Sequence, residues 1–304
     1  MTKVSVLIPT FRRTESFLRA ARSVFAQRGV SGVELIAIDN SPEGAALDAF
    51  RRLATWSPIP FRWAHEPRPG VAHARNAAVT LARGELVAWL DDDEEASPDW
   101  LASLIAVRDA TGAQSVFGPV IAKAPADAVR AGFAERLYTR TGPNDDKLGV
   151  RAYGIGNSLQ PRVMFGDDEE PFALASNETG GEDDALFADW AEAGAAFAWA
   201  ARARVTEHLG VERTSLAHGL KRAFAYGQAP SEMAWAQRDY LTLTRHIMVG
   251  AGQALVFGAL AIAFTLAAPA RGLVMLERAA RGAGKVLFFS AQKFYGATLA
   301  RQPA

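Results

Sequence analysis

The sequence predicts an α/β fold with a mixed, mostly parallel sheet flanked by helices. Three observations lead to this prediction. Short apolar runs alternate with helical patterns of roughly a dozen residues over the first hundred residues. The runs are apolar at consecutive positions, as expected of strands that are buried on both faces. The 304 residues are 49% hydrophobic and 22% charged, which is enough apolar material for a large core.

The first two strand–helix units are defined by where the apolar patterns stop. Val4–Ile8 is a β-branched run that ends at Pro9, which has no amide hydrogen to donate to a neighbouring strand. Apolar residues at helical spacing follow over 17–25. A second apolar run over 33–38 ends in a turn sequence, and another helical pattern occupies 46–53.

The next elements continue this alternation. Phe61–Ala64 and Leu86–Leu90 are predicted strands, and Val71–Leu81 is the helix between them. A further strand is predicted over 115–121, and an acidic, loop-rich stretch covers 167–184. Strands that alternate with helices in this way are joined by crossover connections, so neighbouring strands are expected to be parallel.

Polar side chains follow several of these strands, at the position where ligands bind in such sheets. Ligands of parallel sheets lie beyond the carboxyl ends of the strands. Thr10, Asp39 and the segment 91–94 occupy those positions here. We therefore expect them to meet at one edge of the sheet and to form the binding site.

The strongest local signal is a run of three carboxylates, Asp91, Asp92 and Asp93, at the end of an apolar strand. Charges this close repel unless a cation or strong donors neutralise them. Mg²⁺ and Mn²⁺ bind carboxylate oxygens and keep phosphate oxygens as further ligands. The run therefore predicts a divalent-cation site that holds a diphosphate. A solvated acidic turn before a helix N-terminus would give the same pattern.

A second acidic segment covers 180–187, where two glycines precede Glu182, Asp183 and Asp184. The glycines allow a tight turn, and the acids then open a helix. Acids at a helix start are typical of capping alone. Beside a metal–diphosphate site, they would also supply the general base that transfer to a hydroxyl requires.

The order and spacing of these segments resemble family 2 glycosyltransferases, which have the GT-A fold. The resemblance covers about residues 4–213, and no single motif decides it. The stretch 154–157 also resembles one found in bacterial exopolysaccharide transferases of this family. The matching segments are Val6–Arg13, Asp39, Gly70–Ala78, Asp91–Asp93, Gly154–Asn157 and Gly181–Asp183.

The resemblance implies an enzyme that moves a single sugar, with inversion, from a nucleotide diphosphate-sugar to an acceptor hydroxyl. It implies Mg²⁺ or Mn²⁺ as the cofactor and a role in cell-surface or exopolysaccharide assembly. Asp39 would contact the nucleotide base, Arg75 the diphosphate, and Asp91 the ribose or sugar. The full set of donor-binding residues implied is Pro9, Thr10, Phe11, Arg12, Asp39, Arg75, Asp91 and Asp92.

The resemblance also implies catalytic and metal-binding residues. Asp183 would be the general base, with Glu182 beside it. Asp93 and Asp91 would hold the metal, with His208 as a further candidate. The implied contacts to the acceptor or the diphosphate are Gly181, Asn157 and Arg213. The Gln-x-x-Arg-Trp motif of processive synthases is absent, which favours addition of single sugars.

The predicted domains are a GT-A domain over 1–236 and a helical, apolar, membrane-associated segment over 237–304. Residues 247–270 carry no charge, and a bilayer crossing needs about 20 apolar residues. This run is consistent with a membrane span, a buried helix or an interfacial helix. A single crossing would leave the more basic side outside the cell, against the positive-inside tendency. We therefore expect a re-entrant or interfacial helical pair, with 273–295 as an amphipathic surface helix.

No signal peptide pattern precedes the first strand, so the catalytic domain is expected in the cytoplasm, at the inner face of the membrane. Membrane association through 247–295 would make a lipid-linked saccharide the acceptor, with a free saccharide as the alternative. Lys plus Arg equal Asp plus Glu at 33 each, so no nucleic acid partner is expected. The absence of cysteine excludes thiolate metal sites.

Two other functions fit parts of the sequence. A nucleotide triphosphatase would need a phosphate-binding loop, and the nearest match, at 282–286, lacks the first glycine and the Ser or Thr. The remaining alternative is a catalytically inactive nucleotide-sugar-binding protein tethered to the membrane. The presence of Asp91, Asp93 and Asp183 argues against this alternative.

Overall fold

A computed structural model describes residues 3–166, 170–177 and 180–290 of the chain. These residues form two compact units. The α/β unit contains the described residues of 3–121 and 139–208, and the helical unit contains 122–138 and 209–290.

The described chain contains strands and helices in the alternating order that the sequence predicts. The strands are β1 (Val4–Thr10), β2 (Val33–Asp39), β3 (Phe61–His65), β4 (Leu86–Leu90), β5 (Glu94–Ala96), β6 (Ser115–Phe117), β7 (Val120–Lys123), β8 (Lys147–Leu148), β9 (Asn157–Pro161), β10 (Phe197–Trp199) and β11 (Val205–His208). The helices are α1 (Thr14–Phe25), α2 (Leu47–Trp56), α3 (Val71–Leu81), α4 (Trp100–Thr111), α5 (Ala131–Tyr138), α6 (Glu182–Glu192), α7 (Leu216–Ala236), α8 (Tyr240–Ala267) and α9 (Pro269–Val286).

The main sheet has eight strands in the order β3-β2-β1-β4-β9-β6-β10-β8. The pairs β1–β2, β2–β3, β1–β4 and β6–β10 are parallel, whereas β9 and β8 run antiparallel to their neighbours. A smaller sheet has the order β5-β11-β7. The predicted α/β class with a mixed, mostly parallel sheet is confirmed.

The central strands of the main sheet are buried on both faces, as the continuous apolar runs predict. In β1, Val6 and Ile8 point into a core that contains Phe17 and Trp100, whereas Leu7 points into the opposite core. Every residue of β2 is buried. Successive side chains of a strand alternate between the two faces of the sheet. In a strand that is covered on both faces, side chains are therefore buried at successive positions, which favours apolar residues throughout.

The strand register brings the carboxyl ends of β1, β2 and β4 together. Thr10 lies opposite Asp39 in the β1–β2 pair. Leu7 lies opposite Trp89 in the β1–β4 pair, so the ends of these two strands are also level. The polar residues that follow the strands therefore gather at one edge of the sheet, as predicted.

One predicted strand is divided in two. Residues 115–121 form the whole of β6 and the start of β7, separated by Gly118 and Pro119. Proline has no amide hydrogen, which limits pairing at that position. A Cβ on Gly118 would lie 2.2 Å from the Ala203 carbonyl oxygen, so only glycine fits this close approach.

The helical unit is built around α7, α8 and α9. The chain turns at Ala268, and Pro269 begins α9, a favoured position for proline because its missing amide hydrogen is not needed there. Helices α8 and α9 approach closely where glycines face each other. A Cβ on Gly282 would lie 2.6 Å from the Gly250 carbonyl oxygen.

The C-terminal elements differ from the sequence prediction in their bounds. The uncharged run over 247–270 crosses the boundary between two helices, because Pro269 ends the first of them. The predicted amphipathic helix over 273–295 corresponds to α9, which ends at Val286, and residues 291–295 lie outside the described residues. Helix α7 groups with α8 and α9, whereas the predicted domain boundary follows it at residue 236.

Candidate active site

The loop after β4 carries four acidic side chains that differ in exposure. The Asp91 side chain is 36% exposed, Asp92 and Asp93 are 7% exposed, and Glu94 is 1% exposed. Strand β4 ends at Leu90, and the short strand β5 begins at Glu94, so the three aspartates form the turn between them. The sequence prediction that these carboxylates cluster at the strand end is consistent with this turn.

Residues that follow β1 hold two of these aspartates. The Thr10 hydroxyl donates a hydrogen bond of 2.7 Å to Asp92. The Arg13 guanidinium donates to Asp92 at 3.2 Å and to Asp93 at 2.9 Å. Arg13 therefore supplies positive charge to the acidic turn, although the sequence assigned no role to it.

The acidic turn has more negative charge than its neighbours neutralise. Burial raises the pKa of Asp92 to about 6, and the charges of Asp93 and Asp91 add to this effect. Burial, followed by the charge of Asp91, also raises the pKa of Glu94 well above its usual value. A further cation close to these carboxylates would lower both pKa values.

The Asp91 and Asp93 carboxylates suit the divalent cation that the sequence predicts. Both supply hard oxygen ligands, and Mg²⁺ is commonly held by one or two carboxylates together with substrate phosphates. Among the described residues, no group of three or more His, Cys, Asp or Glu side chains has the arrangement of a metal site. A cation held by Asp91 and Asp93 would therefore need phosphate oxygens to complete its shell.

His208 lies beside this turn, but its ring is bonded elsewhere. Its backbone amide donates to the Asp93 carbonyl oxygen at 2.8 Å. Its ring Nε2 lies 2.9 Å from a carboxylate oxygen of Glu95. The predicted role of His208 as a metal ligand stays a prediction, and binding through Nε2 would require its contact with Glu95 to break.

Arg75 connects the acidic turn to the second acidic segment. Its guanidinium forms an ion pair with Glu182 and lies 4.0 Å from Asp91. The centre of the guanidinium is 6.0 Å from the Trp89 ring and 5.8 Å from the Phe172 ring. The Arg75 side chain is 9% exposed, and its Nε is buried without a hydrogen-bond partner.

The neighbour of Arg75 has a structural role. The Asn76 amide donates to the Phe172 carbonyl oxygen at 3.0 Å, and its oxygen accepts from the Phe172 amide at 2.9 Å. This pair of hydrogen bonds fixes α3 against the segment that precedes α6. Arg75 and Glu182 are 107 residues apart in the sequence, and this contact helps to hold them in register.

Asp183 lies in the first turn of α6 and is partly exposed. Its carboxylate accepts hydrogen bonds from the amides of Ile155, at 3.1 Å, and Asp184, at 3.0 Å. Gly181 precedes the helix with φ 89°, a left-handed conformation that favours glycine. The Asp183 charge is among those that raise the pKa of Asp91, so the two carboxylates share one electrostatic environment.

The segment before β9 lies between these two carboxylates. Ile155 donates to Asp183, and the next residue, Gly156, packs against Asp91. A Cβ on Gly156 would lie 2.2 Å from Asp91 Oδ2, so a glycine is required here. This contact gives a physical reason for the glycine in the motif 154–157.

Glu182 was grouped with Asp183 as catalytic, but the two neighbours differ in their surroundings. Glu182 is 3% exposed, and its carboxylate faces Arg75. A buried carboxylate that is paired with an arginine orients that arginine. Glu182 is therefore better described as a positioning residue, and Asp183 remains the candidate base.

Two predicted binding residues are enclosed in the fold. Asp39 is fully buried, and its carboxylate accepts from the Ser41 amide and hydroxyl and from the Ala46 amide, at 2.6–2.9 Å. Asp39 therefore organises the loop between β2 and α2. Its predicted contact with a nucleotide base stays a prediction and would require that loop to move.

Asn157 is also enclosed in the fold. It is 1% exposed, and its amide oxygen accepts from the Trp100 indole at 2.7 Å. Its amide nitrogen donates to the carbonyl oxygens of Pro119, at 3.0 Å, and Ala203, at 2.9 Å. The side chain therefore connects three segments of the fold, and its predicted contact with an acceptor or diphosphate stays a prediction.

The remaining predicted residues lie in two regions, the end of β1 and the helical unit. Pro9 precedes Thr10, the last residue of β1. The Arg12 guanidinium forms an ion pair of 2.6 Å with Glu43 and lies 5.3 Å from the Phe11 ring. Arg213 lies in the helical unit, 5.6 Å from the Tyr138 ring. Its predicted contact with acceptor or diphosphate stays a prediction.

Sequence reasoning missed one further basic residue of the acidic turn. Arg140 donates to Glu94 at 3.2 Å, and its charge partly offsets the burial that raises the pKa values of Glu94 and Asp91. It comes from a loop with no local motif, so the sequence carries no signal for it. Arg13 was visible as part of the motif after β1, where its position beside Arg12 was the available signal.

The geometry agrees with comparisons to known proteins. The sequence model described as "Glycosyl transferase family 2" matches residues 5–165. The chain belongs to glycosyltransferase family 2. The match spans β1 to β9 and includes Arg75 and the acidic turn.

This transferase is similar to curated proteins with named roles. The succinoglycan biosynthesis protein ExoM of Rhizobium meliloti is 31% identical over 74% of this chain and 73% of its own length. A glucosyl-dolichyl phosphate glucuronosyltransferase of Haloferax volcanii is 28% identical over 55% of this chain and 53% of its own length.

Solved structures confirm the GT-A fold. The mannosyltransferase PcManGT from Pyrobaculum calidifontis, in complex with GDP-Man and Mn²⁺, matches with a TM-score of 0.64 over 95% of this chain and 88% of its own, at 19% identity. Staphylococcus aureus TarS 1-349, in complex with UDP-GlcNAc, matches with a TM-score of 0.52 over 68% of this chain and 59% of its own, at 15% identity.

Proposed function

We propose that this transferase moves a single sugar from a nucleotide diphosphate-sugar to an acceptor hydroxyl, with inversion at the anomeric carbon. The observation that carries the proposal is the arrangement of Arg75, Asp91 and Asp183. A buried arginine held by Glu182 lies beside the acidic turn, and a second carboxylate stands at the start of α6. Structural neighbours that bind UDP-GlcNAc or GDP-Man support a nucleotide-sugar donor.

The leaving group of this reaction is a nucleoside diphosphate, and its developing charge must be stabilised. Arg75 would donate to the diphosphate, since its position is fixed by Glu182 and by Asp91. Asp91 and Asp93 would hold Mg²⁺ or Mn²⁺, which supplies Lewis-acid stabilisation of the diphosphate when bound. The neighbour that binds Mn²⁺ with its donor supports this choice of cation.

Asp183 would act as the general base. Its carboxylate takes the proton of the acceptor hydroxyl while the hydroxyl oxygen forms a bond to the anomeric carbon. The bond from that carbon to the diphosphate oxygen breaks, and the electron pair leaves with the diphosphate. A single displacement of this kind inverts the configuration at the anomeric carbon.

The acceptor is proposed to be a saccharide carried on a lipid, with a free saccharide as the alternative. The exopolysaccharide relatives support a role in cell-surface polysaccharide assembly. Within the described residues, the helix over Tyr240–Phe264 is long and apolar enough to cross a membrane. This helix supports attachment to the cytoplasmic face of the cell membrane, where nucleotide-sugars are available.

The central experiment is calorimetric binding of a panel of nucleoside diphosphates, with and without Mn²⁺. The proteins compared are the wild type, Asp93→Ala and the control Asp48→Ala, whose side chain is 79% exposed on α2. We expect one diphosphate to bind with Mn²⁺ and Asp93→Ala alone to lose that binding. Failure of every diphosphate to bind the wild type would overturn the donor assignment.

Turnover is tested separately. Incubation with the matching nucleotide-sugar and a saccharide acceptor should give one product whose anomeric configuration is opposite to that of the donor, as read by NMR. A product with retained configuration would contradict the single displacement. Donor binding without transfer to any acceptor would support an inactive binding protein instead.

A further inference from the structure

The longest helix of the helical unit presents an apolar face to its surroundings. Leu241, Met248, Leu255 and Ile262 are 84%, 70%, 75% and 78% exposed. They are spaced seven residues apart, which is two helical turns, so they lie on one side of α8. Only 11% of the most apolar part of this helix is buried. A core helix of a soluble unit is mostly buried, so this alternative does not describe α8.

This face, which we call the α8 stripe, consists of Leu241, Met248, Leu255 and Ile262. It spans a rise of about 32 Å at 1.5 Å per residue, and the uncharged part from Met248 to Ile262 accounts for about 21 Å of this length. No charged residue occurs in 247–270. Contiguous apolar surface of this length on a folded protein marks a contact with lipid or with another protein.

The neighbouring helix carries charges level with the middle of the α8 stripe. Lys285 of α9 donates to Gln253 of α8 at 2.9 Å. Arg278 lies 5.3 Å from the ring of Phe257. Because α8 and α9 run antiparallel in contact, any movement of the middle of α8 into hydrocarbon takes these two cations with it.

A buried acidic group in α9 also opposes movement of the hairpin into hydrocarbon. Glu277 is 4% exposed and forms ion pairs with Arg281 and, at 3.2 Å, with Arg136 of α5. Charged side chains at the centre of a bilayer are costly, and α9 would bring several. A hairpin that crossed or dipped into the bilayer would therefore be strongly disfavoured, whereas one lying flat would keep these charges near water.

We propose that the α8–α9 hairpin lies flat in the interface of an anionic bilayer. The α8 stripe enters the boundary between headgroups and acyl chains, and the cations of α9 face lipid phosphates. The aromatic residues Trp235 and Tyr240 at the base of the hairpin, 57% and 58% exposed, suit the headgroup level. This proposal rests on the membrane site of action given above, and it identifies the partner as a lipid surface.

The absence of cysteine allows a direct test, because single cysteines can be introduced for spin labels without removing any. Four variants would each carry one spin label, at Leu241, Met248, Leu255 or Ile262, and each would be bound to vesicles that contain anionic lipid. The depth of each label in the bilayer would then be measured with oxygen and nickel relaxation agents. A flat hairpin predicts similar shallow depths at all four, about 5–10 Å below the headgroups. A label at Val163, 78% exposed in the α/β unit, is the control and should remain in water.

Other depth patterns would overturn the proposal. If the depth is greatest at the middle two labels, the helix crosses the bilayer. If the depth increases steadily towards Ile262, the hairpin dips into the bilayer from its base. Four labels in water, with dipolar coupling between labels of two chains, indicate that a second copy covers the stripe.

A flotation assay provides an independent measurement. Leu255→Glu should reduce partitioning onto vesicles by about tenfold or more, because burial of one leucine is lost. Val163→Glu is the matched control and should float like the wild type. Arg271→Gln, an exposed change on α9, should reduce partitioning about fivefold on anionic vesicles and leave neutral vesicles unaffected. Unchanged flotation of Leu255→Glu would contradict the proposal.

Donor binding separates this proposal from the proposed function. Leu255→Glu should bind the nucleoside diphosphate as the wild type does, since the substitution lies in the helical unit. Loss of flotation with intact donor binding supports the interfacial hairpin. If the wild type binds a diphosphate but does not float, the hairpin proposal fails while the transfer proposal stands.

Discussion

The ion pair between Arg75 and Glu182 allows a quantitative test of how the site is held together. Glu182 is 3% exposed and the Arg75 side chain is 9% exposed, so neither charge is solvated. We predict that Glu182→Gln destabilises the protein, because the Arg75 guanidinium would then be buried without its partner charge.

The size of the effect follows from the burial of the pair. Removal of one partner of a buried ion pair costs about 3–5 kcal/mol. The glutamine oxygen of Glu182→Gln still accepts a hydrogen bond from Arg75, so we expect a value near the lower limit, about 3 kcal/mol. For a unit of this size, that loss lowers the melting temperature by about 6–12 °C.

Thermal denaturation followed by circular dichroism measures the change. The control is Glu192→Gln, at an exposed position of the same helix, for which we expect a change within about 0.5 kcal/mol. Equal melting temperatures for the two variants would refute the inference that Glu182 neutralises Arg75.

A second substitution separates stability from donor binding. Adding Arg75→Met to Glu182→Gln removes the unpaired cation and should restore part of the melting temperature. The affinity for the nucleoside diphosphate should be below that of the wild type in both the single and the double variant. Arg75 has lost its Glu182 partner in the first and is absent from the second. Normal diphosphate affinity in the double variant would exclude Arg75 from the donor site.

Three further predictions concern the carboxylates. Asp183→Asn should lower turnover by about 10²–10⁴-fold and leave the diphosphate Kd unchanged, as measured by a transfer assay and calorimetry. Gly156→Ala should weaken Mn²⁺-dependent diphosphate binding, because its Cβ would displace Asp91, whereas Gly132→Ala adds a Cβ into open space and should have no effect. Without a cation, the stability of the wild type relative to Asp92→Asn should fall by at most about 3 kcal/mol as the pH rises from about 4 to about 6, as measured by thermal denaturation.

The sign of the pH prediction follows from the raised pKa of Asp92. In the folded protein this carboxyl has a pKa of about 6, above the value of 3.8 expected when unfolded. The folded state therefore holds its proton more tightly, and the associated stabilisation is lost as the pH rises through the folded pKa. Addition of Mn²⁺ should raise the melting temperature more at pH 7.5 than at pH 5. An equal rise at both pH values would contradict the placement of the cation beside Asp92.

The central strands were predictable because their sequence pattern depends on local burial alone. Residues 71–81 and 86–90 form α3 and β4 with the predicted bounds, and β1 to β3 extend the predicted strands by one or two residues. Strands β1, β2 and β4 are buried along almost their whole length, so an apolar run is sufficient to identify them, whereas β3 is only partly buried. The acidic turn was also predictable, because its three carboxylates are consecutive.

The contacts that set the roles of individual residues were not predictable, because they join distant segments. Asn157 belongs to a motif, but its hydrogen bonds reach Trp100, Pro119 and Ala203. A motif identifies the residue without showing which face of its strand is buried. The same limit applies to Glu182, whose difference from Asp183 depends on which of the two neighbours points towards Arg75.

The order of the two units along the chain affects how the protein is synthesised. The last of the described strands, β11, ends at His208, and the α8 stripe begins more than 30 residues later, at Leu241. Every strand of both sheets is therefore translated before the stripe leaves the ribosome, and domains tend to fold as they emerge. The nascent transferase can therefore complete its main sheet before the apolar α8 stripe is exposed outside the ribosome. Its delivery to lipid can then follow folding instead of competing with it.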